Sequence, residues 1–199
     1  PRSTLFPYTT LFRSDSVQQG FFWIATEGAG IFIYDPAKNK MFSISVKDGL
    51  ASENVYDLCL DGNGNMWIAT DRGVTICDTR GDISSPTAYT DLNAERGFPS
   101  NAITALALIN KTSEMWVGTA DKGVIVLQLP NNFIGRNAPT LLPNLRVIGE
   151  EQGLTSSFVE DICPDSRGNI WLGTTGGGAD LITPFQSSNR LQAIEKAVV

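Results

Sequence analysis

GLASENVYDLCLDGNGNMWIAT (49–70) holds the pattern that decides the fold. VYDLCL is a short apolar run, DGNGN is a cluster of turn residues, and MWIAT is a second apolar run. Asp, Asn and Gly tolerate positive φ and bond their own backbone, which is what a tight reversal between two strands needs. The stretch is therefore predicted to be a β-hairpin whose second strand begins at its tryptophan.

The same pattern recurs along the chain. GLTSSFVEDICPDSRGNIW (153–171) repeats residues 49–67 at a constant offset of 104, and GFPSNAITALALINKTSEMW (97–116) repeats them with one extra residue in the turn. All four tryptophans stand in one tetrapeptide context, as Trp23-Ile-Ala-Thr26, Trp67-Ile-Ala-Thr70, Trp116-Val-Gly-Thr119 and Trp171-Leu-Gly-Thr174. Their spacings of 44, 49 and 55 residues are those of propeller blades or helical arrays, and the strand-like flanks select the former. After each Thr comes a glycine turn, then a third strand (IFIYD, VTICD, VIVLQL, ADLITPF), then a more variable fourth at 40–46, 88–92, 145–150 and 191–196.

Four antiparallel strands make a blade that must stack on its neighbours to bury both faces. On a strand, Trp and the residue two positions later share a face, so Ala25, Ala69, Gly118 and Gly173 leave room for an indole between two sheets. The expected architecture is all-β, a partial β-propeller of about four blades of four-stranded antiparallel sheet. Its units are placed at 15–47, 48–93, 97–149 and 153–196 within a domain covering 15–199.

With GL-x-S-x-x-V, D-x-x-G-N-[IM]-W-[IL]-[AG]-T and the glycine turn in view, residues 15–187 resemble the two-component regulator propeller repeat. The third unit departs from it, with INKTSEM (109–115) in place of the Asp-Gly-Asn turn and a long link, PNNFIGRNAPTLLPN (130–144). The resemblance implies a seven-bladed ring, of which this chain is a fragment. It also implies the extracytoplasmic, periplasmic sensor region of a bacterial hybrid two-component histidine kinase, tuned to oligosaccharides and forming a homodimer when intact. Signalling domains and further blades of a longer chain are the implied partners; no kinase segment is seen in these 199 residues.

Composition narrows the chemistry. With 15 basic and 21 acidic residues the chain is acidic, which argues against nucleic acid and anionic membranes as partners. The absence of histidine removes Ser-His-Asp and Cys-His nucleophile activation and imidazole-bearing zinc sites. Cys59, Cys77 and Cys163 are too scattered for a thiolate cage and are expected to be small hydrophobes. DGNGN (61–65) imitates a calcium loop, but Arg72 occupies the position of its bidentate acid, so no metal and no cofactor are expected. GTTGGG (173–178) lacks the Lys-Ser/Thr of a phosphate loop and reads as another hairpin.

A ligand is expected at the end of the blades where the loops entering each unit meet the glycine turns. The candidates there are Glu27, Asn54, Asp71, Arg72, Asn101, Asp121, Lys122 and Ser157. No catalytic residue is expected in a sensor. The alternatives are a protein-interaction scaffold and a propeller glycosidase or lyase, for which Asp57 and Asp161, at matching first-strand positions, are the paired carboxylates to test.

The opening segment has a different texture. PRSTLFPYTTLFRS (1–14) contains no acid, and Pro7 with the threonines breaks any signal-peptide core. It matches, residue for residue, the translation of a common short-read sequencing adapter. It is read as non-native, with the join inside the first repeat so that this unit lacks its own opening strand; the chain is accordingly expected to be a truncated piece of a longer gene product.

Overall fold

The computed structural model describes residues 9–13, 20–184 and 191–197, with side chains over 20–183. It contains four antiparallel sheets of four strands, each in sequential order. The first comprises β1 (Thr9–Arg13), β2 (Phe22–Thr26), β3 (Ile31–Asp35) and β4 (Lys40–Ile44). The second comprises β5 (Val55–Leu60), β6 (Asn65–Thr70), β7 (Gly73–Asp78) and β8 (Tyr89–Leu92). The third is β9 (Ile103–Ile109), β10 (Glu114–Thr119), β11 (Val124–Gln128) and β12 (Arg146–Ile148); the fourth is β13 (Val159–Pro164), β14 (Ile170–Thr174), β15 (Gly178–Pro184) and β16 (Leu191–Ala197). First strands sit beside one another in chain order, β1 by β5, β5 by β9 and β9 by β13, so they form the inner edge of the fan.

Sequence dictates both hairpins of each blade. In the second blade the Asp61 carboxylate accepts the N–H groups of Asn63 and Asn65 at one oxygen and, at the other, Asn65 Nδ2 at 2.7 Å and Trp67 Nε1 at 3.0 Å. Asp165 gathers the Arg167 and Asn169 N–H groups and Asn169 Nδ2 in the same way. The Asp-x-x-Gly-Asn-x-Trp motif is thus a carboxylate folding a turn around itself. In the third blade Glu114 substitutes for that aspartate by accepting the Trp116 Nε1 proton at 3.2 Å.

Each tetrapeptide Thr closes the next turn. Thr26, Thr70, Thr119 and Thr174 donate Oγ1–H to the carbonyls of Gly30, Gly73, Gly123 and Gly178. Gly73 and Gly123 adopt φ of 109° and 78°, and a Cβ on either would strike a backbone carbonyl of the fourth strand, that of Leu92 or Ile148.

Three apolar seams hold the blades together, and all have the same polarity. Trp23 and Ala25 face Val55, Leu58, Met66 and Ile68 of the second blade. Trp67 and Ala69 face Ile103, Leu106, Met115 and Val117 of the third, and Trp116, with Ala105 and Ala107, faces Val159, Ile162, Ile170 and Leu172 of the fourth. Small residues beside each indole allow this close approach, as their spacing predicts. Trp23, Trp67 and Trp116 are buried, whereas Trp171, on the outer face of the fourth blade, is 39% exposed.

The long link of the third unit has a structural role. Residues 130–144, whose latter part is a 3-10 helix (Gly135–Asn144), lie back against β7 and β8 of the second blade. Phe133 packs on Trp67 with ring centroids 5.8 Å apart, while Ala138 and Leu141 are buried in the seam. Asn65 Oδ1 accepts the Gly135 N–H at 2.9 Å. The third blade therefore straps itself onto the second.

In the first sheet the place of an opening strand is taken by residues of the segment read as non-native. Backbone atoms of Thr9–Arg13 pair continuously with Phe22–Thr26, because a strand ladder asks for N–H and C=O groups and tolerates almost any side chain. Residues 1–8 and 14 of the segment set aside lie outside the described residues. β1 is also more regular than its counterparts: β5, β9 and β13 each skip one residue against the second strand, at Tyr56, Thr104 and Glu160. Such a bulge turns the local side chains and increases the twist.

Candidate functional site

The loops entering the blades and the glycine turns meet at one end of the strands, and the eight ligand candidates, unlike Asp57 and Asp161, lie in those loops and turns. Their backbone links are regular. The Gly30 N–H donates to the Glu53 carbonyl at 2.9 Å, Gly73 to Asn101 at 2.7 Å and Gly123 to Ser157 at 2.8 Å, in each case from the turn of one blade to the entry loop of the next. Asn101 and Ser157 thus contribute carbonyls to the seams, a role their side chains do not reveal. Asn101 also caps the preceding turn, its Oδ1 accepting the Ala94 N–H at 2.7 Å.

Asn54 and Asp71 come together, with Asn54 Nδ2 donating to Asp71 Oδ2 at 2.8 Å. Burial works against ionisation of Asp71, but hydrogen bonds from Ser52 and Asn54 and the Arg72 charge outweigh it and hold the carboxyl below its ordinary range. Burial, followed by the negative charges of Asp71 and Glu27, pushes the Tyr56 phenol up. Asn54 and Asp71 are bonded, and the charges of Asp71 and Glu27 reach the Tyr56 phenol, whose ring is half-buried against the seam of the second and third blades. The third blade repeats part of this arrangement: Ser100 Oγ donates to Asp121 Oδ1 at 2.5 Å. Lys122 follows Asp121 as Arg72 follows Asp71, so each turn carries an acid with a cation beside it.

Tyr56, Ser52 and Ser100 were missed as site residues. The serines had a signal, since Gly-Leu-Ala-Ser52 and Gly-Phe-Pro-Ser100 set each of them a fixed distance ahead of its strand; Tyr56 had none, because its position depends on the bulge.

Asp57 and Asp161 occupy equivalent inner-strand positions opposite Ala69 and Gly173. Asp57 is committed to structure. One carboxylate oxygen accepts the Leu58 N–H and the other accepts the Leu106 N–H of the third blade, both at 2.7 Å. Burial, aided by the Asp161 charge and opposed by those two bonds, pushes its carboxyl up to about 6. Asp161 accepts the Ile162 N–H at 2.8 Å and is otherwise exposed. Among the described residues no group of three or more Cys, Asp or Glu is arranged to hold a metal ion.

Stacked four-stranded blades with their first strands along an inner edge define the class: this chain is a β-propeller. Residues 49–72 and 153–176 match the profile of the two component regulator propeller family. Among solved structures it is similar to the extracellular domain of the hybrid two component system BT3049 from B. thetaiotaomicron, with a TM-score of 0.67 and 21% identity, covering 92% of this chain and 22% of that one. It is also similar to the extracellular domain of the one component system BT4673 from the same organism, with a TM-score of 0.66 and 18% identity over 86% of this chain and 23% of that one. An ancestral GH74 enzyme shares the fold at a TM-score of 0.58 and 15% identity, over 85% of this chain and 22% of that one. This chain thus spans less than a quarter of the length of each. No curated protein sequence matches it significantly.

Proposed function

We propose that the chain is part of the extracytoplasmic sensing propeller of a bacterial two-component regulator and binds an oligosaccharide-type ligand at the loop rim without converting it. The observation that carries this reading is the grouping of Glu27, Asn54, Tyr56 and Asp71 by that bond and those charges. Carboxylates and an amide offer acceptors and donors to hydroxyl groups, and an aromatic ring offers a face to a pyranose. The repeat and the extracellular domains it resembles support the sensor role and the location. In this reading the ring has seven blades, the intact receptor is a homodimer, and a histidine kinase carries the output.

The propeller-enzyme reading draws on the GH74 likeness and on the raised Asp57 carboxyl, since a general acid needs such a shift. Its weakness is that both Asp57 oxygens are already occupied by backbone N–H groups. Titration calorimetry of this chain against a panel of plant and host oligosaccharides, with chromatography of the recovered sugar, separates the readings. The sensor reading expects a binding heat that is lost in Asn54→Ala and Asp71→Ala while the sugar is recovered intact. Cleavage of the sugar, abolished by Asp57→Asn or Asp161→Asn, would assign the enzyme instead. Capture of a protein partner with no sugar binding would assign the interaction scaffold.

A further inference from the structure

A pocket of about 200 Å³ lies between the second and third blades, at the end of the strands away from the glycine turns. Its walls are the β5–β6 turn at Gly62 and Asn63, the β9–β10 turn at Asn110 and Ser113, and the start of the strap at Asn131. Leu108, Leu129 and Pro130 supply its apolar part. Both blades that form it are complete within the described residues.

The pocket exists because the third unit abandons the rule that folds the other turns. Asp61 and Asp165 commit their carboxylates to the N–H groups of their own turns. The third turn is instead closed from the end of β11, by the Leu129 N–H on the Ser113 carbonyl at 2.8 Å and by Gln128 Nε2 on the Thr112 carbonyl at 2.7 Å. Side chains are left over as a result. Among the described residues the amides of Asn110 and Asn131 and the Ser113 hydroxyl bond to no protein group. Asn63 donates from Nδ2 to the Pro130 carbonyl at 3.4 Å, which leaves its Oδ1 open. Ser113 carries a second sign: it stands three residues before Trp116, as Gly64 and Gly168 stand before Trp67 and Trp171, and shares their left-handed backbone, with φ of 53° against 79° and 92°. Glycine adopts that conformation without strain and serine does not, and such strained residues collect where a side chain is used.

We propose that this pocket binds an uncharged polyhydroxyl ligand of about one sugar ring in size, either a free monosaccharide or the end of a glycan chain. An amide gives and accepts hydrogen bonds at once, as a sugar hydroxyl does, and three amides with a serine hydroxyl offer such pairs beside a short aliphatic wall. None of the eight lining residues is charged, so a phosphate, a carboxylate or a hard cation meets no counter-charge there. None is aromatic, so a planar base has no stacking face. The site lies at the opposite end of the blades from the ligand rim and stands whether or not the rim binds anything.

Amide chemical shifts of the isotope-labelled chain, followed through titrations with D-glucose, D-galactose and D-xylose, locate the binding. At least one of these probes is expected to move the amides of Gly62, Ser113 and Asn131 together, with a Kd of about 1 mM, the range of a ligand this small. Asn110→Ala combined with Asn131→Ala is expected to raise that Kd by at least about tenfold. Both side chains are exposed and unbonded, so the rest of the spectrum should hold. Asn54→Ala, at the rim, is expected to leave the pocket Kd within about twofold. Should the double variant lose its fold, Asn131→Ala alone is expected to raise the Kd by at least about threefold. Shifts confined to the rim residues would overturn the proposal and leave the sensor reading intact, whereas pocket shifts with a silent rim would support it at the sensor reading's expense. No pocket shift with any probe, pocket shifts that survive the asparagine substitutions, or tighter binding of D-glucuronate than of D-glucose would each overturn it.

Discussion

The Asp57 carboxylate accepts the Leu106 N–H at 2.7 Å, one inner strand holding the next across the seam between the second and third blades. This bond turns a propeller residue that would be read as a catalytic acid into a joint. Its position beside Ala69, with Trp67 two residues earlier on the same strand, places a charged group at the inner margin of an otherwise apolar contact.

Asp57 gives the chain a pH dependence whose sign follows from its raised carboxyl. A folded-state value of about 6 against an ordinary 3.8 means that the folded chain holds this proton where the unfolded chain has released it. Stability from this group is greatest below about 4 and falls as pH rises to about 6, after which it levels. Urea midpoints at pH 4, 5, 6 and 7.5 measure the slope. Asp57→Asn is expected to flatten that segment.

The tryptophans are chemically equal and energetically unequal. Trp67→Ala removes a fully buried ring and takes one of the four hydrogen bonds from Asp61; a cost of about 3–5 kcal/mol is expected, chiefly from the cavity. Trp171→Ala, on the open face, is expected to cost less than about 1.5 kcal/mol. Equilibrium unfolding of the two variants in parallel checks the ordering, and equal losses would contradict a covered second seam and an open outer face.

Ala69→Leu tests the small-residue rule from the other side. Added methylenes have no space beneath the third blade, so a loss of about 1–3 kcal/mol is expected. A neutral result would mean that the seam can widen.

Glycine turns supply a fourth test. Gly123→Ala places a Cβ against the Ile148 carbonyl at a φ of 78°, and a loss above about 1 kcal/mol is expected from strain and steric conflict together. Gly81→Ala, with open space around it and no positive φ, is the control and is expected to stay within about 0.5 kcal/mol. Thermal melts of both variants give the comparison.

Much of this architecture was legible because the repeat states it four times. The Trp and small-residue pairing predicted the seams, and the Asp-x-x-Gly-Asn turn predicted the hairpins, since both are local rules of pleat and turn. What stayed hidden depends on partners distant in sequence. Asp57 appeared as a candidate acid because its acceptor role requires Leu106, 49 residues away. Residues 130–144 appeared as an unusual link, and only Asn65, Trp67 and Ile76 of another blade explain why a glycine stands at Gly135, where a Cβ would press on the Ile76 side chain. Tyr56 joined the rim through a bulge that leaves no mark on the apolar alternation of VYDLCL.

The strap from the third blade carries a consequence for how the chain comes apart. In a linear array each unit is steadied only by its neighbours, so disruption can begin at any weak junction and spread. Phe133, Ala138 and Leu141 add a second tie between the middle units, outside the strand-facing contact itself. Those two blades should consequently melt together as one cooperative block and outlast both flanks in hydrogen exchange, giving the fan a rigid centre with softer wings.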